Sequence, residues 1–178
     1  MTSDTLPRFE ALIEHHHDEI HAYLWRLLGS GADGDRAADA QDLTQEVFLR
    51  AYQAYERLRP NSNPRAWLYK IATNCAYTFL KRSQRRARRD VPLLDETDYA
   101  SGESDLSPER QLVQGEALDA LQAAVAALPA KQRAALALRY LQGLGYAEVG
   151  EALGCSEDSA RANVYQAIRR LRRETGGQ

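Results

Sequence analysis

The chain has 178 residues, a net charge of −2, 44% hydrophobic residues and 27% charged residues, which is ordinary for a globular protein. Its length suits one large domain or two small ones, and its abundant Ala, Leu, Arg and Glu favour helix over sheet. No run approaches the roughly 18 uncharged apolar residues of a membrane span, and the first ten residues do not resemble a signal peptide. We therefore expect a cytoplasmic protein without membrane insertion, whose two cysteines, Cys75 and Cys155, are reduced.

The small net charge conceals a strong segregation of charge along the chain. Residues 81–89, KRSQRRARR, carry six basic groups and no acid, whereas residues 90–119 carry nine acids and one base. The isoelectric point near 6.1 therefore does not argue against nucleic-acid binding, because local fields govern such contacts.

Three amphipathic helices are predicted in the first half of the chain, and they form a domain over residues 7–89. The first repeats apolar residues at three- and four-residue steps from Phe9 to Leu27, and the second does so from Ala40 to Tyr55. The third begins with Asn63 as its N-cap. On one face it is expected to bury Trp67, Leu68, Ile71, Ala72, Cys75, Ala76, Phe79 and Leu80.

The helical pattern stops after this domain. Residues 90–110 are acidic, aperiodic and rich in Ser, Gly and Pro, which predicts a flexible linker. A second helical domain is predicted over residues 111–174, in which Pro129 separates two helices. The first is expected to carry an apolar stripe of Leu118, Leu121, Val125 and Leu128, and the second to contain Leu136, Leu138 and Leu141 and to end at Gly143. The predicted fold class is therefore all-α, with two small domains.

A helix-turn-helix is predicted at the end of the second domain, from Tyr146 to Arg173. Gly154 suits the left-handed position that closes a short helix, Ser156 suits the N-cap of a longer one, and Gly150 permits the two helices to cross closely. The outward face of the longer helix would carry Asp158, Arg161, Ala162, Tyr165, Gln166 and Arg169. Such a face is typical of a helix that contacts base edges and phosphates in the major groove.

The third predicted helix carries a second nucleic-acid signal. Opposite its apolar face, the pattern predicts an exposed stripe of Arg65, Tyr69, Lys70, Thr73, Asn74, Tyr77, Lys81 and Arg85. Aromatic, amide and basic side chains together suit unstacked single-stranded bases. The preceding loop, RPNSNP, is polar and rigid and could form a pocket for a flipped base.

Three segments resemble the extracytoplasmic-function (ECF) group of the sigma-70 family of bacterial RNA polymerase sigma factors. DAQDLTQEVFLRAYQAYERL is similar to the family's second region, and NPRAWLYKIATNCAYTFLKR to the stretch that melts and reads the −10 element. LPAKQRAALALRYLQGLGYAEVGEALGCSEDSARANVYQAIRRLR is similar to the fourth region, which reads the −35 element. The resemblance covers both predicted domains in the family's order.

The resemblance implies a role for each matching position. The polymerase clamp, with the beta and beta-prime subunits as partners, would be contacted by Asp42, Gln45, Glu46 and Arg50. The −10 DNA would be contacted by Asn61, Ser62, Asn63, Arg65, Tyr69, Lys70, Asn74, Tyr77 and Lys81, with Trp67 placed in the core. The −35 DNA would be contacted by Ser159, Arg161, Asn163, Tyr165, Gln166 and Arg169. Family behaviour also makes an anti-sigma factor a candidate partner, although no residue of the chain demonstrates one.

Three positions depart from the family's usual pattern. Asn163 and Gln166 stand where many relatives have arginine, which should weaken phosphate contacts while leaving two amides that can pair with adenine. Gly145 stands where a Ser N-cap is common, so the short helix after it is expected to be less firmly held.

Other functions are less well supported by the residues. Of the four histidines only His17 and His21 could chelate one metal ion together, since consecutive helical residues point about 100° apart, so no metal or other cofactor is expected. No phosphate-binding loop or nucleophile with an obvious base is present, which predicts no catalytic residue and no small-molecule substrate. The main alternative is a stand-alone helix-turn-helix regulator with an N-terminal interaction domain, which would bind duplex DNA without polymerase.

Overall fold

A computed structural model describes residues 8–29, 36–60, 62–89 and 120–175. In these ranges every regular element is helical, and the predicted all-α fold is confirmed. The elements in chain order are α1 (Phe9–Leu28), α2 (Arg36–Tyr55), α3 (Pro64–Arg89), α4 (helical residues 120–126), α5 (Ala130–Leu136, continuing as a π-helical turn over Ala137–Leu141), α6 (Tyr146–Leu153) and α7 (Glu157–Thr175). The predicted linker at 90–110 and the start of the predicted second domain lie outside the described residues.

Helices α1, α2 and α3 form a bundle in which each packs against the other two. Their predicted apolar faces meet in a core that includes Ile20, Leu24, Leu27, Val47 and Leu68. Inside this core the Tyr23 and Thr73 hydroxyls form a hydrogen bond and are 2.8 Å apart. Burial raises the pKa of Tyr23, which therefore stays a neutral hydrogen-bonding group in this core.

The C-terminal helices form a second bundle in which α7 packs against α5 and α6. Leu128 is buried as predicted, but Leu121 is 42% exposed, which corrects its place in the apolar stripe. In the next helix Leu138 is buried and Leu141 is 56% exposed. Ala124 faces the core in place of Leu121. Leu141 turns outward because the chain widens into a π-helical turn, which changes the helical period. Leu118 lies outside the described residues.

The predicted helix-turn-helix is confirmed at its three special positions. Gly154 adopts φ +63° and ψ +40° and closes α6. The Ser159 backbone N–H donates to Ser156 Oγ at 3.2 Å, which makes Ser156 the N-cap of α7. At Gly150 an added Cβ would lie 2.8 Å from the Cys155 carbonyl oxygen, so the turn passes directly over this glycine.

The start of α6 is held by a carboxylate instead of an N-cap side chain. Gly145 has no side-chain oxygen, and its backbone N–H donates to Glu148 Oε2 at 2.7 Å. This bond is the half of a capping box that a glycine still allows. The expected weakness at Gly145 is therefore offset in part by Glu148.

The two bundles lie against each other, which the sequence patterns do not predict. Helix α3 packs on α6, and α1 contacts the π-helical turn. The buried apolar residues of both bundles form one continuous cluster. Within the described ranges, none of the helices combines the length and apolar character that a membrane crossing requires.

Gly150 provides a test of the helix-turn-helix packing. Alanine normally stabilises a helix by about 1 kcal/mol relative to glycine, but here its Cβ meets backbone that cannot rotate away. We expect Gly150→Ala to destabilise the chain by about 1–3 kcal/mol in thermal or urea unfolding. The exposed Glu151→Ala in the same helix is the control, and equal stability of the two variants would contradict the close crossing.

Candidate nucleic-acid interface

The exposed surface of α7 carries the residues expected to contact −35 DNA. Ser159, Arg161, Tyr165, Gln166 and Arg169 are all exposed. Asn163 is half-buried, and its Nδ2 donates to the Ser159 carbonyl oxygen at 2.8 Å. Gln166 Oε1 accepts a hydrogen bond from Gln132 Nε2 at 3.0 Å. Both amides that replace the usual arginines therefore already have partners within the domain.

Arg161 is held in place by neighbours that the sequence patterns missed. Its guanidinium carbon lies 4.8 Å from the Tyr146 ring centroid, and the guanidinium carbon of Arg139 lies at the same distance from that ring. Arg161 Nη2 also donates to Glu157 Oε1 at 2.8 Å. The position of Tyr146 as the first residue of α6 is visible in the sequence, but its proximity to α7 depends on the turn.

Helix α3 presents only part of its predicted polar stripe. Lys70, Asn74, Lys81 and Arg85 are exposed, as expected for a surface that meets DNA. Basic and amide groups thus follow one side of the helix for about four turns.

Tyr69 and Thr73 are buried, which corrects their predicted place on the exposed stripe. The Thr73 hydroxyl donates to the Tyr69 carbonyl oxygen at 2.7 Å and also meets Tyr23. The Tyr69 ring lies edge-to-face on Tyr23, with centroids 5.2 Å apart, and its hydroxyl donates to Gln142 Oε1 at 2.9 Å. The apolar periodicity of α3 misplaced these two residues because other helices pack against α3 on more than one side. A helix packed in this way buries a wider face than a helix that packs against a single neighbouring helix.

Tyr77 is half-buried, and burial raises its pKa to about 12. Among the described residues its hydroxyl has no hydrogen-bond partner, and neither has Nε of Arg133 in α5. Burial lowers the pKa of Arg133, while the nearby Tyr77 opposes that change. An added Cβ at Gly29 would lie 2.5 Å from Arg133 Nη1, so this guanidinium reaches across to the N-terminal bundle.

Arg65 pairs with Glu19 of α1 inside the N-terminal bundle and reaches the C-terminal bundle through Gln142, and Glu19 is another residue that sequence reasoning missed. Its Nη2 donates to Glu19 Oε2 and to the Gln142 carbonyl oxygen, both at 2.8 Å. Glu19 also bonds to His16. Burial raises the pKa of Glu19, but the hydrogen bonds and charges of Arg65 and His16 outweigh it, and the net pKa is lowered.

The loop before α3 confirms the predicted N-cap. Asn63 Oδ1 accepts from the Ala66 backbone N–H at 3.1 Å, and Asn63 Nδ2 donates to Glu148 Oε1 at 2.7 Å. Ser62 is half-buried, and Asn61 lies outside the described residues. Trp67 is partly buried against the core with its ring centroid 6.2 Å from that of Tyr55, which agrees with its expected core position.

The outer face of α2 carries the residues expected to contact polymerase. Asp42, Gln45 and Arg50 are exposed, and Glu46 forms an ion pair with Arg50. The same helix carries two large exposed apolar side chains that the sequence analysis did not single out. Leu49 is 59% exposed and Tyr52 is 66% exposed, so this surface combines charge with apolar area.

Comparison with known proteins gives matches in both bundles. The Sigma-70 region 2 family matches residues 12–86, and the Sigma-70 region 4 family matches residues 118–171. The RNA polymerase sigma-H factor of Pseudomonas aeruginosa is 31% identical over 135 residues, which cover 74% of this chain and 70% of that protein. The chain belongs to the sigma-70 family.

Other relatives place this sigma-70 chain in the ECF group. The ECF RNA polymerase sigma factor SigE of Mycolicibacterium smegmatis is 33% identical over 168 residues, or 94% of this chain. The chain spans 61% of the length of that relative. The ECF RNA polymerase sigma-E factor of Escherichia coli K12 is 28% identical over 163 residues, which cover 89% of this chain and 82% of that protein.

Two solved structures share the fold of this chain. The sigma factor RpoE of Bartonella quintana, solved with the anti-sigma factor NepR, aligns over 97% of this chain and 99% of its own with a TM-score of 0.69 and 20% identity. CnrH, solved with the cytosolic domain of CnrY, aligns over 92% and 84% with a TM-score of 0.60 and 21% identity. Region 2 of the sigma-70 family thus corresponds to α1–α3, and region 4 to the C-terminal bundle.

Glu19 provides a test of the ionic link in this sigma-70 chain. Because its pKa is lowered in the folded state, the carboxylate stabilises the fold above its unfolded pKa near 4.5, and this contribution is lost as the pH falls through the folded pKa. We expect Glu19→Gln to lower the free energy of unfolding by about 1 kcal/mol at pH 7, after discounting for partial exposure, and the difference from wild type to shrink as the pH falls below 4.5. Urea unfolding across pH measures it, with the exposed Glu14→Gln as control. A pH-independent difference would contradict the ionic link.

Proposed function

We propose that the chain binds core RNA polymerase and directs promoter-specific transcription initiation, reading the −35 element as duplex and the −10 element as melted strand. The observation that carries the proposal is the presence of both Sigma-70 regions on one chain, each with an exposed surface suited to its DNA target. A stand-alone regulator would need only the helix-turn-helix, and the region 2 match does not favour it.

The docking surface for polymerase is the outer face of α2. It would place Asp42, Gln45, Glu46 and Arg50 against the clamp of the beta-prime subunit. The exposed Leu49 supports this role, because a centre of apolar area within a polar rim is typical of a stable protein interface. The charged residues around it would set orientation more than affinity.

The two DNA surfaces differ in chemistry. On α3 the exposed Lys70, Asn74 and Lys81 would hold a single strand through phosphate contacts and amide pairing. On α7 Arg161 would meet a base edge or phosphate from a position braced by Tyr146. Asn163 and Gln166 would contribute amide contacts, so binding at −35 would depend less on salt than it would with arginines there.

An anti-sigma factor is a further proposed partner. The sigma factor RpoE of Bartonella quintana, which shares this fold, was solved with the anti-sigma factor NepR, and CnrH was solved with the cytosolic domain of CnrY. In this proposal the chain works beside polymerase in the cytoplasm and performs no catalytic step itself.

Abortive transcription with purified core polymerase tests the proposed function directly. We expect specific initiation from a genomic promoter library only when the chain is added, because core polymerase alone does not select promoters. The chain without polymerase should bind promoter duplex weakly, whereas a regulator would bind it tightly. Absence of any promoter-specific product across the library would refute the proposal.

Asn74→Ala tests whether α3 binds the −10 strand while α7 binds the −35 duplex. Asn74 is exposed and has the amide that a base edge can pair with, so we expect a loss of about 1–3 kcal/mol in open-complex formation, measured by permanganate footprinting of the holoenzyme. Binding of −35 duplex should not change. Arg161→Ala is the matched variant and should show the reverse pattern, while equal losses in both assays would refute the assigned roles.

A further inference from the structure

Gln132 of α5 bonds directly to Gln166 of α7, the helix that the proposed function assigns to −35 DNA. Its Nε2 donates to Gln166 Oε1 at 3.0 Å, although the two residues are 34 positions apart in the sequence. Gln166 is exposed, whereas Gln132 is half-buried where α5 packs against α7. A residue outside the helix-turn-helix thus touches a side chain on its DNA-facing helix.

The burial of Gln132 decides which end of each amide meets the other. Gln132 Oε1 is buried and has no hydrogen-bond partner among the described residues. The reversed pairing, with Gln132 Oε1 accepting from Gln166 Nε2, would put the Gln132 amide nitrogen in that buried place instead. A buried NH₂ group leaves two donors unsatisfied, and an orphaned N–H is rarer in proteins than an under-satisfied carbonyl oxygen. Gln132 is therefore the donor of the pair.

This bond selects which half of the Gln166 amide is offered to a base. A glutamine recognises adenine with both halves, since its nitrogen donates to N7 while its oxygen accepts from N6. Because Gln132 holds Oε1 toward α5, Nε2 is the end that remains for DNA, and Gln166 acts as a donor. In the major groove guanine presents two acceptors, whereas cytosine presents only a donor.

Asn163 is restrained in the opposite sense. Its Nδ2 donates to the Ser159 carbonyl oxygen at 2.8 Å, within the same helix. The oxygen Oδ1 is then the end that remains for DNA, and it accepts from base N–H groups. The two amides of α7 therefore offer one donor and one acceptor in place of two complete amides.

We infer that Gln132 is a specificity-determining residue for the −35 element, because it orients the Gln166 amide so that guanine is favoured over cytosine at the base that Gln166 contacts. Gln132 is a positioning residue and does not touch the base itself. The base preference rests on the proposed function, whereas the pairing of the two glutamines does not.

Selection of −35 sequences by the holoenzyme tests the base preference. Core polymerase with the full chain selects from promoter duplexes randomised across the −35 element, and Gln166→Ala identifies the position that Gln166 reads. Gln132→Glu offers only acceptors, so Gln166 must turn Nε2 toward it and present Oε1 to DNA. We expect the ratio of guanine to cytosine at that position to fall about fivefold. The exposed Gln122→Glu in α4 adds the same charge and should leave the ratio unchanged.

Gln132→Met is the second variant, because it keeps the length of the side chain and removes its polar atoms. Both ends of the Gln166 amide are then free for a bidentate contact, so adenine should gain about fivefold over guanine at the same position. Unchanged base ratios in both variants would overturn the inference. If the wild-type holoenzyme selects no −35 sequence, the proposed function fails, and the base preference fails with it.

A double variant separates positioning from direct contact. When Gln132→Glu is added to Gln166→Ala, the base ratios should not change further, because residue 132 acts only through Gln166. A shift that persists without Gln166 would overturn the positioning role, since residue 132 would then contact DNA itself.

NMR spectroscopy of the free chain tests the pairing without polymerase or DNA. A hydrogen-bonded side-chain N–H proton resonates downfield of a solvated one. We therefore expect one Nε2 proton of Gln132 downfield of those of the exposed Gln122, and we expect it to move back toward them in Gln166→Ala. No response of the Gln132 proton to Gln166→Ala would overturn the pairing, because the bond would then be absent in solution.

Discussion

The arrangement of the whole structure depends on the packing of α3 against several other helices. Helix α3 packs on α1 and α2 within its own bundle and on α6 of the other bundle, and it still exposes Lys70 and Asn74 to solvent. Each neighbouring helix covers one sector of the surface of α3. The sector of α3 that remains exposed is therefore narrower than the polar stripe predicted from the sequence. The side chains at the sector boundaries, Arg65 and Tyr69, are those that bond across the bundles.

Polar contacts at this junction are shared between local and long-range partners. Asn63 caps α3 with its oxygen and binds Glu148 with its nitrogen. Glu148 in turn holds the start of α6 with one oxygen and Asn63 with the other. The same atoms therefore fix helix ends and join the bundles, so the relative position of the bundles is coupled to the integrity of both helix starts.

Much of the fold follows from local rules that the sequence displays. The cap at Ser156, the left-handed Gly154 and the tight crossing at Gly150 were predictable because each depends on residues within one turn of the chain. The exposed residues of α7 were predictable for the same reason. Tyr69 and Leu141 were not, because the first is buried by a distant segment and the second is turned out by an irregular helix.

The candidate site shows a similar division. Residue types identified the nucleic-acid surfaces, and family resemblance assigned their targets. The sequence did not identify the residues that contact the site from a distance, because a single Glu, Tyr or Gln has no distinctive pattern. These residues are Glu19, Tyr146 and Gln142, and each contacts a residue that is distant in the chain. Long-range pairing of this kind is visible only in three dimensions.

The π-helical turn at the end of α5 has a consequence for how such chains can vary in length. Its backbone closes from the Gln142 N–H to the Ala137 carbonyl oxygen, one residue further than in an α-helix. Deleting one residue there would convert the turn into a regular α-helix, and the change would be absorbed locally because a π-helical turn holds one residue more than an α-helical turn. Related chains could therefore differ by one residue at this place and still bring their two bundles together.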